Sequence, residues 1–336
     1  MTDPHKRLHD DVRLLGTLLG DTLRVQVNGE ALFEAVERVR GLSKDARRGV
    51  ADFAELERTL QALSVPDALS VARAFAHFLG LANIAEQHHR IRRRRDYQRD
   101  SNTPPQRGSF ADSFNRMLES GVLPSTLREC AVALRVELVL TAHPTEVVRR
   151  TLRMKQRRIA DLLAVGDRLA LTAPERDAQR RRLAGEVAAT WLTDEVRHAK
   201  PTPIDEVKWG LVAFEQTLWD AVPRYVRALD QSLREATGDG LPADAAPIRF
   251  GSWMGGDRDG NPNVTPDVTI RACALARWMA ADLYLLEVEA LRSELSMMSA
   301  SAELLARTGD ALEPYRALLK PVVARLRALS FIPRYP

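Results

Sequence analysis

His143 is the residue of this sequence best suited to moving a proton. It stands in V-L-T-A-H-P-T-E-V-V-R-R, Val139–Arg150, where an apolar run gives way to acid and arginine. Histidine titrates near neutrality, so it can take up and return a proton within one turnover. The plainer alternative is a hydrogen-bonded structural histidine. Its position argues for chemistry. Val136 to Leu140 is β-branched and aliphatic, interrupted once by Glu137, which predicts a strand. Pro144 lacks an N–H for the ladder and stops that strand. Thr145 is a helix cap, with Glu146 in the first turn and Arg149, Arg150 and Arg153 in later ones. His143 thereby falls at the carboxyl end of a strand, the edge where α/β barrels collect their chemistry.

A second block, Ile248–Val264, reads I-R-F-G-S-W-M-G-G-D-R-D-G-N-P-N-V. It begins as a short strand, Ile248 to Trp253, and breaks into a glycine-rich loop. Gly255, Gly256 and Gly260 permit positive φ and close approach of backbone to a ligand. Asp257, Arg258, Asp259 and Asn261 place charge and hydrogen-bonding capacity in a tight turn. Thr265-Pro266 has the form of an N-cap followed by proline at the first helical position. The alternative is a stiff surface turn with an internal Asp–Arg pair. A P-loop is excluded because no Gly-Lys-Ser/Thr follows, and an EF-hand loop because no Glu closes it at the needed spacing.

Together the two blocks resemble one family, the phosphoenolpyruvate carboxylases. Thr141 to Glu146, followed by Arg149 and Arg150, is similar to the family's histidine signature, and Ser252 to Pro262 to its S-W-M-G-G-D-R-D-G-N-P block. Thr193 to Arg197, Pro201 to Glu206, Glu294 to Met297 and the basic run His88 to Tyr97 match as well. The resemblance is to bacterial-type members and to their amino-terminal part alone, so the sequence is expected to be a truncated or frame-shifted reading, or a gene fragment. The tail 330–336, S-F-I-P-R-Y-P, aligns with nothing in the family.

The resemblance implies a reaction. Bicarbonate attacks the phosphoryl group of phosphoenolpyruvate, giving carboxyphosphate and the enolate of pyruvate. Carboxyphosphate breaks down to carbon dioxide and phosphate, and the enolate carbon attacks the carbon dioxide to form oxaloacetate. By the match His143 takes the proton from carboxyphosphate. Trp253 belongs to the apolar pocket that holds carbon dioxide and keeps out water, which would protonate the enolate. Arg258 either stabilises phosphate charge or pairs with Asp257 or Asp259. Arg149, Arg150 and Arg197 resemble residues with which some members bind a phosphorylated activator, since guanidinium forks fit phosphate; the alternative is surface pairing with Glu146 or Glu195. The family uses Mg2+ (or Mn2+). Its acidic metal ligands, a mobile glycine-rich loop and most phosphate-binding arginines are expected in a carboxyl-terminal part that this sequence lacks, so no metal site is expected in this chain. Full-length members are expected to be homotetramers.

Composition fits a cytoplasmic helical protein. The 336 residues are 45% hydrophobic and 28% charged, enough for a sizeable core and for solubility. Two cysteines, Cys130 and Cys273, make no disulfide framework. Met1 to Arg7 is followed by no apolar core of a signal peptide. No uninterrupted apolar stretch approaches the roughly 20 residues of a membrane helix. The net charge of +4 comes from 49 basic against 45 acidic residues, a mixed balance without a nucleic-acid-binding signature. Its sharpest cluster, Arg90 to Arg95, reads as a solvated helix face. The family match makes it part of the assembled enzyme's interior or interface.

The elements that must position these residues are mostly helices. Helical periodicity runs through Leu8–Val25, Leu32–Val39, Phe53–Leu63, Leu69–Ile91, Phe110–Leu118, Thr145–Leu163, Pro174–Ala199, Ile204–Leu233 and Pro266 to about Met298. The expected fold is mostly α with a few parallel strands: the amino-terminal part of a helix-rich α/β (TIM-like) barrel. Residues 1–134 form a helical region, 135–329 the start of the barrel, and 330–336 an atypical tail. Strands near 136–141 and 248–253 are the barrel's first two, and two cannot close a barrel of eight. A chain of this length should therefore expose strand edges and apolar helix faces and be inactive alone. Two readings from other classes remain: a non-catalytic interaction fragment that joins carboxylase subunits, and a helical di-iron protein built on Glu86-x-x-His89 and Glu195-x-x-His198.

Overall fold

The computed structural model describes residues 5–50, 52–100, 103–141, 150–168, 170–195, 201–309 and 311–330. The chain is mostly helical and holds one two-stranded parallel sheet. By packing it divides into two units, Met1–Pro104 with Val148–His198, and Pro105–Val147 with Ala199–Pro336. The sequence boundary at 135 marks something different, the approach to the first strand at Val136.

The first unit is built from α1 (Lys6–Arg24), α2 (Gly29–Arg47), α3 (Phe53–Gln61), α4 (Val65–Arg99), α7 (Arg150–Arg168) and α8 (Ala173–Trp191). Its core joins Leu15, Leu19 and Leu23 of α1 to Ala74, Leu81 and Ala85 of α4, Ile159 of α7 and Leu183 and Val187 of α8. The longest element, α4, begins at the Ser64 cap, whose hydroxyl accepts from Asp67 N, with Pro66 in the first turn. It runs further at both ends than the apolar periodicity predicts. One 18-residue window of it has the length and hydropathy of a membrane span, which qualifies the sequence expectation. Val71, Ala74, Leu81, Ile84 and Ala85 of this helix are buried within the unit.

The basic cluster on α4 is not uniformly solvated. Arg92 is buried and forms ion pairs with Asp11 of α1, at 2.7 Å, and with Asp167 of α7. His88 Nε2 lies 2.8 Å from the same Asp167 carboxylate. Arg90, Arg93, Arg94 and Arg95 are exposed. The solvated-face reading therefore fails at Arg92, whose partners lie far away in sequence.

The second unit holds α5 (Phe110–Glu119), α6 (Pro124–Val132), β1 (Val136–Leu140), α9 (Pro203–Ala213), α10 (Trp219–Thr237), β2 (Ile248–Ser252), α11 (Pro266–Glu294), α12 (Ala302–Thr308) and α13 (Pro314–Ser330). Phe114, Leu127, Leu229 and Leu233 bind α5, α6 and α10 together. A separate core of Val207, Leu211, Met254 and Ala272 joins α9 to α11. The span expected as one helix, Ile204–Leu233, is interrupted by a π turn at Phe214–Leu218. Shortly beyond it, Pro223 of α10 lacks the N–H that would donate to Trp219. The helix then continues past Leu233 to Gly238, whose φ of 87° closes it.

Candidate functional site

β1 and β2 pair in parallel with Val136 opposite Ile248 and Leu140 opposite Ser252. The pairing begins with Val136 N donating to Pro247 O at 2.8 Å and ends with Trp253 N donating to Leu140 O at 3.0 Å. Both carboxyl ends therefore lie at one edge of the sheet. The first strand has the predicted residues, and the second stops one residue short of Trp253, which opens the loop instead.

That loop is pinned by residues on both sides of Trp253. Ser252 Oγ accepts from Met254 N at 3.2 Å, and Trp253 O accepts from Gly256 N and Asp257 N at 3.0 and 2.8 Å. Met254 is 9% exposed and buries its thioether among Val207 and Leu211 of α9 and Ala272 of α11. Trp253, its neighbour, is 58% exposed. One residue anchors the loop and the next presents an indole. Gly255 has φ 73°, and a Cβ there would lie 2.8 Å from Ala272 Cβ and 2.9 Å from Val207 Cγ2. Only glycine fits both demands. Its carbonyl accepts from Thr269 Oγ1 at 2.8 Å, tying the loop to α11.

The second half is a turn in which Asp259 and Gly260 take φ of 26° and 73°. Asn261 N donates to Arg258 O, and Asn261 Oδ1 accepts from Asn263 N at 3.0 Å. Arg258 donates from Nε to Val264 O at 3.2 Å and forms no ion pair with Asp257 or Asp259 among the described residues. The internal pair considered from sequence is absent among the described residues, and Arg258 is exposed with both acids beside it in sequence. Thr265 Oγ1 accepts from Val268 N, and Pro266 opens α11 as expected.

His143 lies outside the described residues, three positions beyond Leu140 in sequence. Arg149 and Arg197 also lie outside them. Arg150 is described only as the first backbone position of α7. The neighbouring matched motif is visible in part. α8 stops at Trp191, eight residues before the predicted end, and Arg73 of α4 donates to the carbonyls of Trp191 and of Thr193 beyond it. Glu195 then pairs with Arg73 at 3.2 Å and lies 2.5 Å from His77 Nε2. Burial outweighs the pull of Glu195 and holds His77 below its ordinary value, with Arg73 adding to that effect.

Sequence reasoning missed Met254 as the loop's anchor and Glu206. Glu206 sits in the first turn of α9, and burial pushes its carboxyl above the usual range. Nothing in the pattern singles it out, because the capping box of that helix is completed by Asp205, which accepts from Thr202 N at 3.0 Å. No group of three or more His, Cys, Asp or Glu is placed to hold a metal ion among the described residues. Of the residues named for the di-iron alternative, Glu86 pairs with Arg90 at 2.6 Å, Glu195 is engaged as above, and His198 lies outside the described residues.

Comparison with known proteins converges on one family. The family model for phosphoenolpyruvate carboxylase matches residues 8–330. A phosphoenolpyruvate carboxylase of Pseudomonas paraeruginosa is 51% identical over 328 residues, 97% of this chain and 37% of the relative. One of Pseudomonas aeruginosa is 50% identical with the same coverage, and one of Alcanivorax borkumensis is 50% identical over 321 residues, 95% of this chain and 36% of the relative. The chain thus spans little more than a third of the length of the curated relatives it matches.

Proposed function

The chain belongs to the phosphoenolpyruvate carboxylase family, and from that premise we propose that it supplies the proton-accepting histidine and the carbon dioxide pocket of such an enzyme. The enzyme joins phosphoenolpyruvate and bicarbonate to give oxaloacetate and phosphate. In this reading residues 135–329 begin an eight-stranded barrel with β1 and β2 as its first strands. The complete protein is a cytoplasmic homotetramer, and Arg149, Arg150 and Arg197 receive a phosphorylated activator. The observation that carries the reading is the joint at Trp253. Its backbone bond to Leu140 holds the indole at the strand edge from which the chain continues, three residues on, to His143.

The assigned chemistry follows from residue type. His143, neutral at working pH, takes the proton of carboxyphosphate as that species breaks to carbon dioxide and phosphate, and returns it to the phosphate. Trp253 offers an apolar wall that retains an uncharged molecule and excludes water from the enolate. The exposed guanidinium of Arg258 balances phosphate charge. The family's Mg2+ (or Mn2+) finds no ligand set among the described residues, and no step of this reading passes through it.

A chimera tests the proposal. This chain would replace the matching 328 residues of the Pseudomonas aeruginosa relative, and oxaloacetate would be followed through malate dehydrogenase and NADH. The chimera should form oxaloacetate from phosphoenolpyruvate and bicarbonate, and the chain alone should form none. A well-folded chimera without activity would contradict the assignment.

One observation favours a second reading, in which the chain alone acts as an interaction fragment. Each strand of the sheet has a single partner, so each outer edge carries unpaired backbone groups among the described residues. Val136, Leu138 and Val139 are also exposed, and such edges invite pairing with another chain. Co-purification with a full-length carboxylase subunit supports this reading, and failure to associate opposes it.

A further inference from the structure

Within the first unit a cleft of about 880 Å3 opens between α1, α2 and α4, the size of a small-molecule site. Its floor is apolar. Phe78 and Phe33 lie over the bare backbone of Gly16 and Gly20, where an added Cβ would stand 3.2 and 2.9 Å from ring carbons. Its rim is basic. Arg40 and Arg90 are matched by Glu37 and Glu86, but Arg13 and Arg93 line the cleft with no ion pair among the described residues.

His89 lines the same cleft. It is 6% exposed, and neither ring nitrogen has a hydrogen-bond partner among the described residues. An imidazole buried with both nitrogens unmet is costly to the fold, and groups of this kind call for a partner. Glu86, His89, Arg90 and Arg93 follow one another at helical spacing, so α4 turns a single face toward the cleft. The carboxylase chemistry proposed above uses none of these residues.

We propose that this cleft binds a small organic monoanion, a single carboxylate carried on a compact apolar body. The carboxylate is received by Arg93, Arg13 and one N–H of His89, and the apolar body lies against Phe33 and Phe78. Burial first, then the charges of Arg92, His5 and Arg93, hold His89 below its ordinary value against the opposing pull of Asp11. That shift favours the neutral imidazole, which donates one N–H. Arg93 serves in both roles, since its charge acts on His89 and it also lines the cleft. Phosphoenolpyruvate is a poor occupant, because it is multiply charged and has no apolar body for the floor.

Calorimetric titration of the 336-residue chain with 4-phenylbutyrate tests this, alongside the imidazole NMR signal of His89. The neutral alcohol 4-phenyl-1-butanol and phosphoenolpyruvate serve as comparison ligands. Saturable binding at one site is expected, with a shift of the His89 signal. Arg93→Gln and Arg13→Gln change exposed residues and should each weaken 4-phenylbutyrate about tenfold, the effect of losing one charge-assisted hydrogen bond. Both comparison ligands should bind at least tenfold more weakly. Equal affinity for acid and alcohol would overturn the proposal. So would indifference to both substitutions, or no saturation below about 10 mM. Carboxylase activity enters none of these readouts, so the cleft and the proposed function stand or fall separately.

Discussion

Gly255 is where backbone conformation and side-chain packing make the same demand. Its positive φ and its closeness to Ala272 and Val207 leave no room for a methyl group. Gly255→Ala should destabilise the second unit by roughly 1–3 kcal/mol, from strain and overpacking together, read from urea unfolding. An unchanged midpoint would show that the loop yields. Trp253 carries a different prediction, because it is exposed here and contributes little to this unit's core. In the active chimera, Trp253→Ala should raise the ratio of released pyruvate to oxaloacetate about tenfold, equivalent to roughly 1.4 kcal/mol, as water reaches the enolate. Lactate and malate dehydrogenase couplings measure the two products, and a constant ratio would remove Trp253 from the pocket. The sequence singles out His143, Trp253 and Arg258 because a proton carrier, an aromatic and a cation each interrupt an apolar or glycine-rich run, and their roles belong to the proposal. Met254 was not legible, since its role depends on α9 and α11 arriving beside it.

Elements were legible where the signal is local. The Val136–Leu140 strand and the Thr265-Pro266 start of α11 are written in neighbouring residues, and both appear as predicted. Thr265→Ala should cost about 1 kcal/mol by exposing the first-turn N–H groups, measured by thermal unfolding. The end of α8 is met by Arg73, more than a hundred residues away in sequence, which donates to the carbonyls of Trp191 and Thr193. Periodicity cannot report that. Nor could it report Arg92, whose acids Asp11 and Asp167 come from two other helices. Here burial opposes charge on Asp167, but Arg92 and then His88 outweigh it and hold the carboxyl below its ordinary value. A carboxyl depressed in the fold contributes stability above its unfolded value, near 3.9, and loses it as pH falls through the folded one. Asp167→Asn should therefore lower the melting temperature at pH values well above that range. The gap should narrow once pH drops below about 4. A gap independent of pH throughout would show that the charge on Asp167 contributes nothing.

At the scale of the molecule, helix content and parallel pairing could be read from sequence, but the packing units could not. Each unit draws on two separated stretches of chain, a division decided by long-range contacts rather than by composition. The apolar exposure of β1, together with Ile270, Tyr284 and Leu286 on α11, is what the proposal expects of a chain that supplies only the first strands of a larger barrel. The most direct test of that proposal is the rate of oxaloacetate formation by the chimera with His143 and with His143→Asn. The substitution should reduce the rate by about 100-fold or more, the usual contribution of a general base, while assembly and phosphoenolpyruvate binding persist. A His143→Asn chimera as fast as its parent would contradict the central claim, that this chain carries the group that accepts the carboxyphosphate proton.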